Sequence, residues 1–351
     1  MSKFWSNKTK SIEPYVPGEQ PKDKKYIKLN TNESPYPPSP KVIEAIKNAA
    51  NGDLRLYPDP NCEKLRETIG EYYDLNKDEV FIGNGSDEVL AIAFQAFYNP
   101  EEPIVFPDIT YSFYPVYADL YNISYRLAKL TEDFSIPVEQ FLTKNGGVII
   151  PNPNAPTAKH LDIDMVKKIL DYNSEKVVII DEAYVDFGGN SAVKLIKDYP
   201  NLLVIQTLSK SRCLAGIRIG FALGQEALIQ GLNTIKNSFN SYTVDRVANA
   251  AAIAAIRDVE YFNECKNKII ATKAWASEAM GKLGFNVIPS EANFVFVSHA
   301  SISAKEIFLM LREKGVLVRY FDKPRINNYL RITIGSDEEM KELIEKLKEI
   351  V

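Results

Sequence analysis

The sequence contains little histidine and little cysteine. Among 351 residues there are two histidines, His160 and His299, and three cysteines, Cys62, Cys213 and Cys265. Two histidines and no CxxC pair provide no ligand set for a typical zinc site, so we expect no bound metal. The cysteines are odd in number and far apart, which disfavours a disulfide framework and indicates a reducing, cytoplasmic compartment.

Long apolar runs and an excess of charge of one sign are also missing. No run reaches the roughly eighteen apolar residues of a spanning helix, and the first ten residues are polar, so we expect neither a membrane segment nor a signal peptide. The 42 Lys and Arg residues against 46 Asp and Glu give a formal net charge of -4. This balance gives no electrostatic reason to expect nucleic acid or an anionic membrane as a partner.

The length of the chain favours two domains preceded by an arm. Residues 1–40 are rich in proline, which disfavours helix, but they include apolar anchors such as Tyr15 and Tyr26. We predict an ordered, extended arm that packs with the small domain and a dimer partner; disorder is the alternative interpretation. A large domain over 41–250 and a small domain over 251–351 follow, with a long connecting helix at the start of the latter.

Short apolar runs that alternate with polar turns and helical patterns indicate an α/β fold. The runs are residues 79–82, 103–106, 147–150, 176–180, 202–206 and 219–223. Continuous apolar runs are typical of strands that are buried on both faces of a mostly parallel sheet. Further strand and helix patterns after Gly284 predict a small α+β domain. We therefore predict a large, mostly parallel mixed sheet with helices on both faces, plus a smaller α+β domain.

Polar residues of four kinds follow the predicted strands, where ligands bind in open α/β sheets. Asp181 ends one strand, Lys210 follows another, GNGSDE (83–88) opens a helix, and NPNAPT (152–157) forms a rigid loop. Taken singly, each has an ordinary alternative. Asp181 could be a helix cap or part of an ion pair, Lys210 a solvated lysine, GNGSDE an N-cap, and NPNAPT a plain loop. The glycine turn matches neither the P-loop nor the GxGxxG pattern, which argues against a nucleoside triphosphate or dinucleotide.

Taken together, these groups match the requirements of pyridoxal 5'-phosphate. That cofactor needs an amine for its aldehyde, an acid for its ring nitrogen, donors for its phosphate and an aromatic neighbour. Lys210, Asp181, Ser86 with Arg218, and Tyr111 would supply these groups in turn. The sequence therefore predicts a pyridoxal-phosphate site.

Motifs along nearly the whole chain carry a resemblance to a known family. They are LNTNESPYPPSP (29–40), GNGSDE (83–88), DITYSFYPVY (108–117), NPNAPT (152–157), DEAYVDF (181–187), TLSKSRCLAGIRIG (207–220) and LRITIG (330–335). In this order they resemble the fold-type-I pyridoxal-phosphate aminotransferases (class II), and most closely the histidinol-phosphate aminotransferases. The resemblance implies a homodimer that transfers an amino group between L-histidinol phosphate and 2-oxoglutarate in histidine biosynthesis, giving imidazole acetol phosphate and L-glutamate.

The resemblance also implies roles for individual residues. Lys210 would bond to the cofactor and carry the proton, Asp181 would hold the ring nitrogen, and Tyr184 would bind the phenolic oxygen. The other cofactor-binding residues implied are Gly85, Ser86, Asp87, Tyr111, Asn154, Thr207, Ser209 and Arg218, with Tyr57 reaching the neighbouring subunit. The substrate-binding residues implied are Arg331 and Arg319 for its anionic group, and Tyr15 and Asn32 for closure of the site.

The sequence departs from the family pattern at two uncharged positions of one loop and at a pair of residues that follows Lys210. Ala155 stands where the family usually has asparagine, so we assign its hydrogen bond to Asn154 instead. Ala158 replaces the usual glycine of the same loop, and Arg212-Cys213 replaces a small-aromatic pair. None of these departures removes a charged catalytic group.

Two other classes of function remain open from the sequence. A threonine-phosphate decarboxylase or an aromatic-amino-acid aminotransferase would share the cofactor and the fold. A ligand-sensing domain of a regulator would carry a DNA-binding module as well, for which the first forty residues are too short and too rich in proline.

Overall fold

The computed structural model describes residues 2–16, 18–21 and 23–351; Met1, Pro17 and Lys22 of the predicted arm lie outside the described residues. The helices are α1 (Asn7–Ser11), α2 (Pro40–Ala49), α3 (Glu63–Tyr73), α4 (Gly85–Phe97), α5 (Phe113–Tyr121), α6 (Ile163–Tyr172), α7 (Glu226–Phe239), α8 (Arg246–Arg257), α9 (Val259–Lys282), α10 (Ala304–Glu313) and α11 (Asp337–Lys348). The strands are β1 (Ile27–Lys28), β2 (Val80–Gly83), β3 (Ile104–Pro107), β4 (Tyr125–Ala128), β5 (Val148–Pro151), β6 (Val178–Asp181), β7 (Leu202–Thr207), β8 (Gly220–Leu223), β9 (Phe285–Ile288), β10 (Phe294–His299), β11 (Val316–Leu317), β12 (Arg319–Tyr320) and β13 (Leu330–Thr333).

Seven strands form the large sheet, in the order β2-β8-β7-β6-β5-β3-β4. β8 is antiparallel to both of its neighbours, and every other neighbouring pair is parallel. The predicted α/β fold class is confirmed, and each of the six apolar runs became a strand. The sequence did not predict β4, because this edge strand exposes Tyr125 and Leu127 and lacks a continuous apolar run.

The large sheet separates two apolar cores, because successive side chains of a strand point to opposite faces. Ile180 and Val204 face a core that is shared with α2, α3, α6 and α8. Ile179 and Leu203, one residue away, face a core that is shared with α4, α5 and α7. Each fully buried side chain of this size stabilises the fold by roughly 1.5–3 kcal/mol. Burial on both faces fixes the carboxyl ends of β5, β6 and β7 relative to one another.

A second, antiparallel sheet in the order β12-β13-β10-β9 packs with α9, α10 and α11. The arm is attached to it, since β1 pairs in parallel with β11 and the Thr333 N–H donates to the Leu29 carbonyl at 2.9 Å. Residues 27–29 of the arm therefore run extended beside the small sheet, whereas residues 7–11 form the helix α1, so the prediction of an extended arm is wrong for that part. None of the helices in the described part of the chain is both long and apolar enough to cross a membrane.

The helices α8 and α9 link the two sheets and meet at Asp258. Ala251 and Ile256 of α8 pack in a core of the large sheet, whereas Ile269 and Ala276 of α9 pack with the small sheet. The change from one core to the other thus occurs along α9. The domain boundary at residue 250 stays a prediction.

Candidate active site

A cavity of about 820 Å³ opens where the carboxyl ends of the large sheet meet the arm and the small sheet. Most of the predicted site residues line it: Tyr15, Asn32, Ser86, Asp87, Tyr111, Asp181, Tyr184, Thr207, Ser209, Lys210, Arg218, Arg319 and Arg331. Gly85, Asn154 and Tyr57 lie outside its lining. The structure therefore brings together residues that are up to about 300 positions apart in the sequence, as expected where parallel strands end.

Asp181 ends β6 and presents a buried carboxylate at the base of the cavity. Its side chain is 6% exposed and accepts a hydrogen bond from the Tyr114 hydroxyl at 2.7 Å. Burial raises the pKa of Asp181 to about 6, although the hydrogen bond from Tyr114 acts in the opposite direction. A buried carboxylate without a cationic partner is costly, so this position favours a positively charged ligand group.

Lys210 lies three residues beyond the end of β7 and reaches the same cavity. Its Nζ donates to the carbonyl of Thr31 in the arm at 3.3 Å and lies 5.8 Å from the centre of the Tyr184 ring. The Tyr184 hydroxyl in turn accepts a hydrogen bond from Asn32 Nδ2 at 3.0 Å. An amine and a phenol are thus held together between the large sheet and the arm.

A cradle for an anion lies at the start of α4, beside Arg218. A Cβ on Gly220 would collide with the Ser86 N–H, and one on Gly85, whose φ is +82°, would collide with the Arg218 guanidinium. The side chain of the N-cap residue Asn84 makes no capping hydrogen bond. Arg218 therefore lies close to the backbone N–H donors at the start of α4. These donors are suited to a phosphate group.

Asp87 connects this cradle with the aromatic wall of the cavity. Its carboxylate accepts hydrogen bonds from the Tyr111 hydroxyl at 2.7 Å and from Arg218 Nη2 at 3.4 Å. Burial raises the pKa of Tyr111 well above its usual value, so the phenol remains a donor. Thr207 and Ser209 complete this side through a hydrogen bond of 2.9 Å between their hydroxyls.

Two arginines enter the cavity from adjacent strands of the small sheet. Arg319 on β12 is paired in register with Arg331 on β13. Arg331 Nη2 donates to the Asn30 carbonyl at 2.8 Å, but its buried Nε has no partner in the described part of the chain. Burial, together with the positive charge of Arg319, lowers the pKa of Arg331. Among the described residues neither guanidinium forms an ion pair with a carboxylate, so both are available to an anionic ligand.

Asn32 holds the arm in place at the edge of the cavity. Its φ is +55°, a conformation that asparagine tolerates better than most residues. Its backbone N–H donates to the Thr333 hydroxyl at 2.9 Å, and its carbonyl accepts from Asn293 Nδ2 at 3.1 Å. Tyr15 stacks on Phe113 with ring centres 4.2 Å apart. Both arm residues therefore stand beside the cavity, as the resemblance implied.

The assignment of Asn154 to the cofactor is not supported by its geometry. The side chain is fully buried, and its Nδ2 donates to the Ile109 carbonyl at 3.0 Å and to the Thr157 hydroxyl at 2.8 Å. Ala155, not Asn154, lines the cavity. The amide that was expected to replace the missing asparagine is thus occupied in holding the loop.

Tyr57 lies outside the cavity of its own chain. It is 76% exposed and stacks on Tyr242 with ring centres 4.7 Å apart. Its backbone carbonyl accepts a hydrogen bond from Arg246 Nη2 at 2.7 Å. A fixed but exposed tyrosine of this kind is available for contact with another molecule.

The sequence did not reveal several residues that shape the site. Tyr114 holds Asp181, and the buried hydroxyl of Thr110, which lines the cavity, has no partner among the residues that the structure describes. Both lie in DITYSFYPVY, a segment singled out for Tyr111 alone. Phe321 and Arg325 line the cavity from the segment between β12 and β13, which carries no recognisable motif.

Comparison with known proteins identifies the family. The family model described as aminotransferase class I and II matches residues 24–347. The chain belongs to this family. It is 66% identical over 351 residues to a histidinol-phosphate aminotransferase of Clostridium botulinum (strain Langeland), covering 100% of this chain and 99% of the relative. It is 61% identical to a histidinol-phosphate aminotransferase of Clostridium acetobutylicum, covering 100% of both chains.

A solved structure shows the same fold at lower sequence identity. The histidinol-phosphate aminotransferase of Sinorhizobium meliloti, in complex with pyridoxal-5'-phosphate, superposes with a TM-score of 0.89. It shares 24% identity, and the match covers 100% of this chain and 99% of that chain. The predicted fold-type-I architecture and the family resemblance are therefore confirmed.

Proposed function

We propose that this protein uses pyridoxal phosphate to transfer an amino group from L-histidinol phosphate to 2-oxoglutarate. One observation carries the proposal: Arg319 and Arg331, neither ion-paired to a carboxylate in the described part of the chain, share one cavity with Lys210 and Asp181. Full-length relatives with the same printed activity support the choice of substrate. They also favour transamination of histidinol phosphate over the decarboxylase, aromatic-substrate and regulator alternatives.

The donor set fits the cofactor. Gly85 and Gly220 leave room at the start of α4 that a Cβ would fill, and Arg218 adds a positive charge there. Asp181 is a buried carboxylate with a raised pKa, as suits a partner that brings its own positive charge. The phosphate would be held by Ser86, Thr207, Ser209 and Arg218, the ring nitrogen by Asp181, and the phenolic oxygen by Tyr184.

Each polar group then has a defined task. When bound, pyridoxal phosphate supplies an aldehyde for the substrate amine and a ring that withdraws electrons. Lys210 Nζ would take the proton from the substrate α-carbon and deliver it to the carbon of the cofactor that came from its aldehyde. The contact of Nζ with the Thr31 carbonyl holds the amine between the large sheet and the arm. Asp181, held by Tyr114, keeps a proton on the ring nitrogen.

The two arginines explain how one site accepts two different substrates. L-Histidinol phosphate carries a phosphate ester on the carbon next to the reacting carbon, and 2-oxoglutarate carries a carboxylate at each end of its chain. The planar guanidinium binds either anion through two parallel hydrogen bonds. The unpartnered Nε of Arg331 provides one such donor.

A half-reaction experiment tests the proposal. L-Histidinol phosphate alone should convert the bound cofactor from its aldehyde form to its amine form, and 2-oxoglutarate should restore the original absorbance. Release of carbon dioxide from threonine phosphate, with no response to histidinol phosphate, would instead identify a decarboxylase.

We also propose that the protein works as a homodimer in which Tyr57 of one protomer reaches the cofactor phosphate in its partner. Tyr57 is exposed, stacked on Tyr242 and held by Arg246, and it lies near the exposed apolar residues Leu54 and Leu56. Apolar side chains grouped on a surface are typical of an interface.

Mixing two inactive variants tests shared sites. In a hybrid dimer of one Lys210→Ala protomer and one Tyr57→Phe protomer, one active site would contain both substitutions and the other would contain neither. Activity should therefore reappear after the variants are unfolded and refolded together. Activity that stays at the mean of the two separate variants would mean that Tyr57 serves its own chain or no site.

A cytoplasmic location completes the proposal. All three cysteines are free thiols in the structure, and two of them, Cys62 and Cys265, are buried. Free thiols are typical of a reducing compartment.

A further inference from the structure

The segment between β12 and β13 crosses from the small sheet to the large domain, and Arg325 makes the contact. Its Nη1 donates to Asp108 Oδ2 at 2.8 Å. Its Nη2 donates to the carbonyls of Leu130 at 2.7 Å and Thr131 at 2.8 Å. One guanidinium therefore joins the segment to three groups that follow β3 and β4.

Both partners of this ion pair are held in place. Asp108 Oδ1 accepts a hydrogen bond from the Leu130 N–H at 2.9 Å, so the carboxylate is fixed before Arg325 reaches it. Arg325 has a φ of +68°, a left-handed conformation that is unfavourable for a residue with a Cβ. The side chains of Arg325 and Asp108 are 28% and 21% exposed, so water weakens the pair less than it weakens a surface pair.

The same segment is continuous with the two arginines of the cavity. The Phe321 ring centre lies 5.5 Å from the Arg319 guanidinium carbon and 5.8 Å from that of Arg331. Asp108, at the other side, begins the segment that carries Tyr111 and Tyr114. A change in the Arg325 contact would thus move Arg319 and Arg331 relative to the large sheet.

We propose that Arg325 and Asp108 form a latch that sets the distance between the two arginines and Lys210, and so positions the anionic group of the substrate. Both line the cavity, and the role that we assign to them is one of positioning, through Phe321, Arg319 and Arg331. This inference rests on the proposed function in requiring that these arginines bind the anionic group of both substrates.

Variants of the cofactor-loaded protein test the latch. Arg325→Gln should raise KM about tenfold for both histidinol phosphate and 2-oxoglutarate, the scale of a lost charged hydrogen-bond network, with kcat changed less than about twofold. Asp108→Asn keeps the acceptor for the Leu130 N–H and loses the charge, so it should raise KM less than Arg325→Gln does. The double variant should match Arg325→Gln alone, because the two side chains act as one unit.

Arg66→Gln is a matched control. Arg66 donates to the Asp78 carboxylate at 2.9 Å and to the carbonyls of Lys77 at 3.0 Å and Val80 at 2.9 Å. It thus has the same kinds of partners as Arg325, but all of them lie within the large domain. This variant should lose stability and leave both KM values unchanged.

The outcomes separate the latch from a general loss of stability. Equal KM values in Arg325→Gln and Arg66→Gln, or a loss confined to kcat, would overturn the inference. Faster amide exchange of residues 321–329 in Arg325→Gln, together with the raised KM, would support it. If the wild type fails to transaminate histidinol phosphate, the proposed function fails instead. In that case, weaker binding of inorganic phosphate by Arg325→Gln than by the wild type would still support the latch, and equal binding would overturn it.

Discussion

The two walls of the cavity are built in different ways. Asp181 and Lys210 belong to the large sheet, where the ends of β6 and β7 are fixed by strand pairing and by cores on both faces. Arg319 and Arg331 belong to the small sheet, which reaches the large domain through side-chain contacts such as those of Asn32 and Arg325. The groups that we propose to carry the chemistry thus lie on a wall fixed by strand pairing, and those that we propose to bind the anion lie on a wall that side-chain packing joins to it, including the packing of Ile288 and Phe296 in the core of the large domain.

This difference predicts a division between kinetic parameters. Variants of Asp181 or Lys210 should change turnover and cofactor binding, because we propose that these side chains act on the cofactor and not on the anionic group of the substrate. Variants of the small-sheet wall should change KM, because they remove contacts that both substrates make before and during reaction.

Lys210→Ala should have the largest effect. Turnover should fall at least about 10⁴-fold, since in the proposed function one side chain would both bond to the cofactor and move the proton. Steady-state rates with purified protein give the measurement. Lys176→Ala is the control, because Lys176 pairs with Glu102 at 2.6 Å near the start of β6, away from the cavity. Near-normal turnover of Lys210→Ala would place the amine elsewhere.

Arg331→Ala should have the next largest effect, on the opposite wall. KM should rise roughly 100-fold for both the amino donor and the amino acceptor, the usual scale for loss of a buried charged partner. The affinity for the cofactor should not change. Arg331→Lys should fall between the wild type and Arg331→Ala, because it keeps the charge and loses the planar fork. A change for only one of the two substrates would contradict a shared anion site.

The large-sheet wall was the part that sequence could predict. A strand followed by a polar residue is a local pattern, and parallel strands bring such residues to one edge. Asp181 and Lys210 could therefore be selected as candidates from the residues themselves. Arg319 and Arg331 were assigned through resemblance to a family, since nothing in their local pattern distinguishes them from surface arginines.

Contacts between distant segments could not be predicted. Tyr114 bonds to Asp181 across 67 positions, and Arg325 bonds to Asp108 across 217. No periodicity or turn pattern records such a pair, because it depends on how two separately folded segments meet. The role of Asn154 stays a prediction for a related reason: the Ile109 carbonyl, 45 positions away, accepts a hydrogen bond from its Nδ2 at 3.0 Å, while its Oδ1 has no partner among the described residues.

Asp181→Asn should change the stability of the cofactor-free protein and its affinity for the cofactor in opposite directions. Burial raises the pKa of Asp181 from 3.8 to about 6, so the cofactor-free fold resists ionisation of this group. As the pH rises from about 4 to 6, the unfolded chain releases this proton before the folded chain does, and the wild type loses stability. Above pH 6 the cofactor-free variant should be more stable by roughly 2–3 kcal/mol, a gain that vanishes near pH 4.

Urea unfolding of the cofactor-free proteins at several pH values measures the difference in stability. Titration with pyridoxal phosphate measures the difference in cofactor affinity. In that titration Asp181→Asn should bind more weakly, because the amide cannot stabilise a proton on the ring nitrogen. A stability difference that does not depend on pH would mean that Asp181 ionises as readily in the folded chain as in the unfolded one. The Asp181 carboxylate should thus lower the stability of the cofactor-free protein and strengthen cofactor binding. Its role is therefore to bind the ligand, whereas the apolar residues around it stabilise the fold.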